Sequence, residues 1–356
     1  MKLTIEQSKL YNLLKSTSVI KPSVALDITK NNLLKVDGNK LIVSAMDIST
    51  ELTQWIEVSG LDSFEVLVPR SKFIDLINSF GKGDIELSLS GNNLLVQQDK
   101  VKVKLSILPE VDLFPSVSRF QDDSDWFEVD SQKLKDALSK TVFAASKEQS
   151  RPILQGVYWS KTMQAIDGFR LSFMEGLKSD NELIIPASFM SELVKLLPDN
   201  GMVKIQSTQN KVLFSFDNTL LVSALLSGSY PDVTLFMAQE HANRLVLDTK
   251  NVIAVLRQAS IFAREAVGNV IKVTANTDLK FEVQTHEDSY VNEIEAVEGT
   301  DNEVVFGVNC GYFLEALTKV DTDTFSLQVE TGNNPIIIES GEFRHVIMPM
   351  SIKEEQ

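Results

Sequence analysis

The sequence predicts an α+β fold made of three similar domains in tandem. One strand–helix segment recurs three times along the 356 residues, and a second strand–helix segment recurs later in each copy. Short stretches of alternating apolar residues, typical of strands with one buried face, fill most of the remaining chain. Antiparallel sheets with helices on one face belong to the α+β class.

The first recurring segment starts at Leu3, Phe127 and Leu245, with the sequences LTIEQSKLYNLL, FEVDSQKLKDAL and LVLDTKNVIAVL. Each copy opens with alternating apolar residues and continues with apolar residues at helical spacing. Between the two patterns stands a polar residue that can cap a helix. The candidate caps are Glu6 or Gln7, Asp130 or Ser131, and Asp248 or Thr249.

The second segment starts at Phe64, Asn181 and Asn302 and has the pattern of a buried strand that turns into a helix. Pro69 and Pro186 are expected where the strand ends, and Gly307 takes that place in the third copy. A third motif closes each copy: KVKLSILPEVDLFPSV, LLVSALLSGSYPDV and HVIMPM. We therefore predict domains at 1–121, 122–241 and 242–356, each with two helices and about eight strands.

Composition is that of an ordinary globular protein, with 43% hydrophobic and 23% charged residues. No apolar run reaches the roughly 20 residues that span a bilayer, and the first residues lack the pattern of a signal peptide. Cys310 is the single cysteine, which excludes an intrachain disulfide and a cysteine-rich zinc site. We predict a cytoplasmic protein with no cofactor.

The sequence carries no recognisable catalytic motif, so we predict that the chain is not an enzyme. Gly81–Asp84 lacks the spacing of a phosphate-binding loop, and no nucleophile elbow is present. His241, His286 and His345 are isolated in the sequence. The best acidic cluster is Asp122, Asp123 and Asp125, which could hold Mg²⁺ but which we interpret as a solvated connector.

A net charge of −15 argues against nucleic acid unless the basic residues are clustered. They are clustered. The first helix of each copy and the loop after it hold eleven basic and three acidic residues over 8–21, 133–151 and 250–265. Lysines placed on a solvent-facing helix surface for solubility would explain one such basic run. Three basic runs at the same position of the repeat instead indicate phosphate binding. The candidate DNA-facing residues are Lys9, Lys15, Lys21, Arg70, Lys133, Lys140, Lys147, Arg151 and Arg257.

The motifs SRPILQGVYW, AIDGFRLS, SGSYPDV and HVIMPM, in this order, resemble the bacterial β sliding clamps, the processivity subunits of replicative DNA polymerases. The resemblance covers the whole chain. It implies a head-to-tail homodimer, in which six similar domains form a ring with helices lining the pore and sheets outside. The partners it implies are double-stranded DNA, a clamp loader, the replicative polymerase and other proteins with a clamp-binding motif, but no membrane.

The family also implies a hydrophobic cleft between the second and third domains, in which partners insert a short peptide. Its walls here would be Leu154, Ile166, Gly168, Phe169, Arg170, Leu171, Pro231, Leu235, Phe236, Asn309, Tyr312, Val346, Met348, Pro349 and Met350. Methionine and leucine suit an adaptable groove, and Arg170 and Asn309 could bind peptide backbone. Ile166 and Phe169 replace the Thr and His usual in the family, and the SIKEEQ tail extends past its usual end.

For the dimer, the resemblance implies that the edge strand Val101–Ile107 of one subunit pairs with the third domain of the other. The candidate interface residues are Lys72, Val103, Leu105, Ile107, Ile261 and Phe262. Two alternatives stay open at the level of sequence. One is a repeat scaffold that binds only proteins, and the other is a metal-dependent DNA-processing enzyme that uses the Asp122–Asp125 carboxylates.

Overall fold

The computed structural model describes residues 2–59, 63–108, 110–115, 117–119 and 126–352. The acidic run Asp122–Asp125 and the tail residues Glu354 and Glu355 lie outside these residues. The predicted linker at 121–125 therefore stays a prediction.

The described residues form three successive sets of eight strands, as predicted. The first set has β1 Lys2–Glu6, β2 Asn31–Asp37, β3 Lys40–Met46, β4 Thr50–Glu57, β5 Phe64–Pro69, β6 Asp84–Leu89, β7 Asn93–Gln98 and β8 Val101–Ser106. The second has β9 Trp126–Asp130, β10 Gly156–Trp159, β11 Met163–Ile166, β12 Arg170–Met174, β13 Leu183–Pro186, β14 Met202–Ser207, β15 Lys211–Phe216 and β16 Thr219–Ala224. The third has β17 Asn243–Asp248, β18 Val270–Ala275, β19 Asp278–Gln284, β20 Ser289–Glu295, β21 Val304–Asn309, β22 Thr324–Val329, β23 Ile336–Ser340 and β24 Phe343–Ile347.

Each set carries the two predicted helices, and the second carries one short helix more. The helices are α1 Gln7–Ser16, α2 Arg70–Ser79, α3 Ser131–Thr141, α4 Ala187–Leu196, α5 Thr234–Met237, α6 Thr249–Ala263 and α7 Cys310–Leu317. Of the predicted caps, Asp248 accepts a hydrogen bond from the Asn251 backbone N–H at 2.8 Å. Glu6 occupies the cap position of α1 without such a bond.

The chain forms two compact units, 1–132 with 192–225, and 133–191 with 226–356. The first unit contains a four-stranded sheet, in the order β1-β6-β7-β8, and an eight-stranded sheet, in the order β5-β2-β3-β4-β16-β15-β14-β9. The eight-stranded sheet arises where β4 pairs with β16, for example through Leu52 and Leu221. Helices α1 and α2 contribute Leu10, Leu14 and Phe73 to the core between them and the strands.

The second unit repeats this plan with different strands. Its eight-stranded sheet has the order β13-β10-β11-β12-β24-β23-β22-β17, and its four-stranded sheet has the order β20-β19-β18-β21. Here β12 pairs with β24, as β4 pairs with β16 in the first unit. The boundary between the two compact units falls inside the second repeat. Strands β9 and β14–β16 of this repeat belong to the eight-stranded sheet of the first unit, whereas β10–β13 belong to that of the second. The domain limits 1–121, 122–241 and 242–356 stay a prediction.

One detail of the predicted strand ends is wrong. Asn309, not Gly307, takes the place of Pro69 and Pro186, because Asn309 pairs with Val270 as Pro69 pairs with Asn31. Gly307 lies two residues earlier, inside β21. A Cβ atom there would overlap the backbone carbonyl of Met350, so glycine is required by the close passage of the chain end.

Within the described part of the chain, no helix has the length and apolar character needed to cross a membrane.

Candidate functional site

All fifteen candidate cleft residues lie in the second unit, and most surround the junction between β12 and β24. The turn that precedes β12 is fixed by Asp167, whose Oδ1 accepts the backbone N–H groups of Phe169 at 2.9 Å and Arg170 at 3.0 Å. This turn carries the Phe169 side chain on the surface with 60% of its area exposed. Gly168 in the same turn has a φ of +96°, a conformation that L side chains rarely adopt.

A small apolar cluster forms the floor of the cleft. Leu171 and Val346 pair directly across β12 and β24, and both are buried. Phe173, Val233 and Ile337 complete the buried cluster, while Ile166 and Met237 pack against it and stay partly exposed. The sequence-based prediction missed Phe173, Val233, Met237 and Ile337. Phe173 could have been found, because it stands two residues after Leu171 on β12 and so faces the same side of the sheet. Val233 and Met237 lie outside the strands and had no such signal.

The rim of the cleft is apolar and open to solvent. Leu235 is 86% exposed, and Phe169, Phe236 and Met348 are exposed as well. Leu235 and Phe236 lie on helix α5, and Asp232 Oδ1 just before this helix accepts the Thr234 backbone N–H at 2.9 Å. Large apolar side chains concentrated in this way mark interaction sites, because burying them is favourable.

The end of the chain is fastened across this rim by backbone hydrogen bonds. The Met348 N–H donates to Phe169 O and the Met350 N–H to Gly307 O, both at 2.8 Å. Met350 lies over Gly268, where an added Cβ atom would be 2.9 Å from its Cε. Met348, Pro349 and Met350 therefore form an ordered wall.

Arg170 lies beside the cleft, but its side chain is occupied within the fold. Its Nε–H donates to Asp167 Oδ2 at 3.0 Å, Nη1 to Glu315 Oε2 at 2.7 Å and Nη2 to Phe143 O at 3.0 Å. Tyr312 stacks on the guanidinium, with 4.3 Å from Cζ to the ring centroid. Three of the five guanidinium N–H groups have acceptors within the fold and the side chain is buried, which argues against the expectation that Arg170 binds peptide backbone.

Asn309 is occupied in a similar way. Its Oδ1 accepts the Tyr312 backbone N–H at 3.0 Å and so caps α7, while its Nδ2 donates to Gly268 O at 2.9 Å. Asn309 therefore has a role in the local fold, and the expectation that it binds peptide backbone stays a prediction, since its amide keeps one further donor and one further acceptor site. Burial and then the charge of Asp167 raise the pKa of Tyr312.

The remaining predicted cleft residues are Leu154 and Pro231. Leu154 is buried in a 3-10 turn, Pro152–Gln155, and its carbonyl accepts the Ser146 N–H at 2.9 Å. Pro231 is exposed at the start of the segment that leads into α5. Leu154 contributes to the support of the site and Pro231 to its surface.

His345 lies directly behind the cleft and was not singled out by the sequence as part of it. It is fully buried, pairs with Ser172 across β12 and β24, and stacks on Phe143 at 5.4 Å. Neither ring nitrogen has a hydrogen-bond partner among the described residues. Burial, with the nearby charge of Arg170, lowers the pKa of His345 to about 3, so the ring is neutral at physiological pH.

Most of the candidate DNA-facing residues have exposed side chains on the repeated helices or the loops after them. In the first unit these are Lys9, Lys15 and Lys21, and in the second unit Lys133, Lys147, Arg151 and Arg257. The apolar positions of each helix pack inwards, as Leu10, Leu13 and Leu14 do in α1, which leaves the basic positions in solvent.

Two of the candidate DNA-facing residues are buried, and their assignment to a DNA-facing surface is wrong. The first, Arg70, is 4% exposed and donates to Asn32 Oδ1, to Ile20 O and to Thr29 O at 2.8 Å. Burial lowers the pKa of Arg70 to about 10. Its side chain ties α2 to the loop after α1 and has no surface with which to meet a phosphate.

Lys140 is also buried, and its Nζ donates to Asp136 Oδ2 at 3.0 Å and to Asp321 Oδ2 at 2.9 Å. Burial alone would lower the pKa of Lys140, but these hydrogen bonds raise it above the usual value. Two carboxylates already neutralise the ammonium group, so Lys140 supports the fold.

The candidate dimer interface includes two edge strands that have no neighbour on one side within their own sheets. These are β8 in the first unit and β20 in the second. On β8, Val101 is exposed and Val103 partly buried, but Leu105 is 2% exposed and belongs to its own core. Its side chain therefore packs within its own sheet, as alternate residues of an edge strand do, and the expectation that Leu105 takes part in strand pairing between copies stays a prediction.

The other interface candidates lie at the surface to different degrees. Lys72 on α2 and Ile261 on α6 are exposed, whereas Ile107 and Phe262 are partly buried. Phe262 stacks on Tyr290 of β20 with 5.6 Å between the ring centroids. Phe262 therefore packs within its own domain, whereas the exposed Ile261 side chain remains available for contact with a second copy.

No cluster of three or more histidine, cysteine, aspartate or glutamate side chains with the geometry of a metal site occurs among the described residues. Cys310 is buried, which raises the pKa of its thiol to about 12.

Three family models match the chain in succession. They describe the N-terminal, central and C-terminal domains of the DNA polymerase III beta subunit and match residues 1–118, 128–232 and 235–351. The chain is 26% identical over 368 residues to the beta sliding clamp of Chlamydia muridarum, and the match covers 100% of both chains. It is 28% identical to the beta sliding clamp of Staphylococcus aureus, with 95% of each chain covered.

Solved structures have the same fold over nearly the whole chain. The DNA polymerase sliding clamp from Bacillus subtilis superposes with a TM-score of 0.93 at 22% identity, covering 99% of this chain and 100% of that one. The sliding clamp from Pseudomonas aeruginosa bound to griselimycin gives a TM-score of 0.91 at 23% identity, with the same coverage.

Proposed function

The chain belongs to the bacterial β sliding clamps, the beta subunits of DNA polymerase III, and we propose that it acts as a ring-shaped tether on double-stranded DNA. In this proposal two copies close head to tail around the duplex and hold the replicative polymerase and other enzymes on it. The chain itself performs no chemical step. A clamp loader would open the ring and place it on DNA.

The observation that carries the proposal is the repeated strand junction. In the first unit the edge strand β4 pairs with β16, and in the second unit β12 pairs with β24. The corresponding strands of the remaining half-sheets are β20 and β8, and each forms an open edge. A head-to-tail contact between two copies would give β20 and β8 the same junction and leave no edge of this type unpaired.

The hairpin turns align the repeats residue by residue. The first residue after the two-residue turn is Thr219 in β16, Phe343 in β24 and Val101 in β8. Each opposite strand, β4, β12 or β20, is preceded by a turn that a backbone hydrogen bond closes. The carbonyl oxygen that accepts this hydrogen bond belongs to Thr50, Arg170 and Asp288, respectively. Both sets are defined by hydrogen bonds, so the alignment does not depend on sequence identity.

The two internal junctions then predict one register for the contact between copies. Thr50 pairs with Ser223, and Arg170 pairs with Ile347. Transferred to β8 and β20, both pairs place Leu105 opposite Asp288. That two independent junctions give the same answer supports the register.

Side-chain direction and charge agree with this register. Lys104 would lie opposite Ser289, both exposed, and Val103 opposite Tyr290, both partly buried. A shift by one residue would place core-facing side chains against solvent-facing ones. Lys100 would lie opposite Glu293, and Lys104 would lie diagonal to Glu287, so that a basic edge meets an acidic one.

The cleft of the second unit supports the tethering part of the proposal. Its buried floor and exposed rim of Phe169, Leu235, Phe236 and Met348 fit a short apolar peptide. With Arg170 and Asn309 occupied, the remaining contacts are mainly apolar, which suits exchange among several partners. We propose the polymerase and other proteins with a clamp-binding motif as these partners.

The basic helix surfaces support contact with the DNA backbone. Exposed lysine and arginine side chains attract phosphates without reading base sequence, as a sliding protein requires.

Retention on circular DNA tests the proposal. The protein, loaded on nicked circular duplex by a clamp loader, should stay bound at high salt and leave after the circle is cut. Native mass spectrometry should give twice the 39.7 kDa mass of the chain. Equal retention on circular and linear DNA, or a monomer at micromolar concentration, would contradict the ring.

A further inference from the structure

The segment after β8 and the segment after β16 are internal copies of each other. The first has the sequence PEVDLF at 109–114 and the second has PDVTLF at 231–236. We call them the first and the second connector. The second connector carries Leu235 and Phe236 of the exposed cleft rim. The first connector therefore marks the position in the first unit that corresponds to the cleft.

The surroundings of the two connectors also correspond. Asp47 Oδ1 accepts the backbone N–H groups of Ser49 and Thr50 at 2.6 and 2.7 Å, as Asp167 does in the turn beside the cleft. The Ala224 N–H donates to Ser49 O at 2.7 Å, as the Met348 N–H donates to Phe169 O. Glu51 pairs with Val222 where Leu171 pairs with Val346.

The two sites differ in whether the connector fills its own groove. Phe114 of the first connector is 6% exposed and packs on Leu33, Met46 and Leu67. Its counterpart Phe236 is 38% exposed. The second connector is preceded by four more residues, Ser227–Tyr230, and Tyr230 stacks at 5.1 Å on Tyr158, the counterpart of Leu33. Tyr230 thus covers the place that Phe114 fills in the first unit.

A polar contact fastens the chain at Ser118, four residues after the first connector. The Ser118 backbone N–H donates to Glu51 Oε2 at 2.7 Å, and its hydroxyl donates to Glu51 Oε1 at 3.0 Å. Lys211 Nζ lies 2.7 Å from Glu51 Oε1 and donates to Ser118 Oγ at 3.0 Å. In the second unit Leu171 takes the place of Glu51 and Pro335 takes the place of Lys211. Neither side chain can form such a contact.

We propose that the first connector is a ligand bound in cis, and that it keeps a second peptide-binding groove of the chain occupied. Phe114 anchors the connector, and the contact among Glu51, Ser118 and Lys211 fastens the segment that follows it. Each chain therefore presents one open peptide site instead of two. The proposal rests on the proposed peptide site of the second unit, and it concerns a separate groove that lies within the first.

A peptide that replaces the connector tests this proposal. The protein is the full chain with Leu235→Lys and Met348→Lys, which close the second-unit cleft, and the probe is the peptide EVDLFPSVS, which has the sequence of residues 110–118. This protein should bind no probe, because the tethered connector holds the groove at a high effective concentration. Adding Phe114→Ala should let one peptide bind per chain, as counted by native mass spectrometry.

The matched control is the peptide EVDLAPSVS, which lacks the phenylalanine and should not bind. Absence of binding by EVDLFPSVS to the Phe114→Ala protein would overturn the inference. It would leave the proposed function untouched, since that is tested by peptides of the polymerase on the chain with an intact cleft.

A second measurement does not depend on the Phe114 variant. Lys211→Met should raise the amide hydrogen exchange of residues 111–119 about tenfold or more, because the contact with Glu51 and Ser118 is weakened. Lys204→Met is the control, since Lys204 lies over the Trp126 ring at 4.3 Å and has no part in the contact. Unchanged exchange in Lys211→Met would mean that the connector is not fastened in this way.

Discussion

Arg170 and Glu315 form an ion pair, with 2.7 Å between Nη1 and Oε2, which joins strand β12 to helix α7 beside the cleft. The Arg170 side chain is 6% exposed and also pairs with Asp167 at 3.0 Å. The Asp167 side chain is 13% exposed, so removal of Arg170 would leave its carboxylate as a largely buried, uncompensated charge. Arg170→Ala should therefore lower the free energy of unfolding by about 3 kcal/mol in urea.

The affinity for a peptide of the polymerase should change little in Arg170→Ala at temperatures where the variant is folded. Lys250→Ala is the control, because its pair with Asp323 at 3.4 Å is exposed and should contribute no more than about 0.5 kcal/mol. Unchanged stability together with weaker peptide binding would instead restore Arg170 as a peptide contact.

His345 predicts how stability depends on pH. Its pKa in the folded protein is about 3, below the ordinary value of 6.5, so the unfolded chain binds the proton more tightly. The associated stability is fully present above pH 6.5 and is lost as the pH falls towards the folded pKa, by up to about 1.4 kcal/mol per pH unit.

His345→Phe should remove this loss, because phenylalanine fits among Phe143 and Phe343 and does not titrate. Urea unfolding of both proteins between pH 7 and 4.5 measures it. The difference between them isolates His345, since the carboxyl groups are common to both. Parallel pH profiles would show that the wild-type ring is not held neutral.

The sequence predicted the repeat and the number of strands and helices, because each depends on local periodicity. The position of the cleft came only from the resemblance to the family and stays a prediction. It could not predict that Arg70 and Lys140 are buried. Both stand where a helical pattern also allows an exposed residue, and their partners Asn32 and Asp321 are distant in the chain.

Long-range partners also explain what the sequence did not reveal at the cleft. Arg170 was expected to face a ligand, but its acceptors Glu315 and Phe143 come from elements that only the fold brings together. The role of Asn309 as a helix cap was within reach, since it directly precedes the apolar pattern of α7.

The exposed rim of the cleft gives a direct test of peptide binding. Leu235→Lys with Met348→Lys should weaken binding of a peptide from the polymerase at least tenfold, because both side chains would place a charge against apolar groups. Unfolding in urea should stay near wild type, since both residues are exposed. Val297→Lys, another exposed apolar residue of the second unit, is the control and should keep full affinity.

The exposed and buried basic residues should behave differently towards DNA. Reversing Lys9 and Lys15 to Glu should shorten retention on circular DNA and lower the slope of log K against log salt by roughly 0.9 for each phosphate that is no longer neutralised. Arg70→Met should leave the slope unchanged and destabilise the fold, because Asn32 and two backbone carbonyls would have no donor. Fluorescence binding at several salt concentrations measures the slope.

The register between β8 and β20 can be tested by a disulfide between two copies. It places Val101 opposite Asn292 in a pair without backbone hydrogen bonds, where Cα atoms lie about 4.5 Å apart, within the range of about 4.4–6.8 Å that a disulfide spans. Val101→Cys with Asn292→Cys should give, after mild oxidation, a covalent dimer of twice 39.7 kDa on non-reducing gels. The native Cys310 should not interfere, because it is buried and its pKa of about 12 keeps the thiol protonated.

Val101→Cys with Glu295→Cys is the matched control. It separates the two cysteines by three further residues, or about 10 Å, and so should stay uncrosslinked under the same conditions. The in-register dimer should also hold nicked circular DNA after treatment with denaturant at a concentration that releases the wild type, because its seams are covalent. Equal crosslinking of both pairs would mean that the strands meet without a fixed register, and crosslinking of the control alone would mean that the internal junctions do not predict the seam.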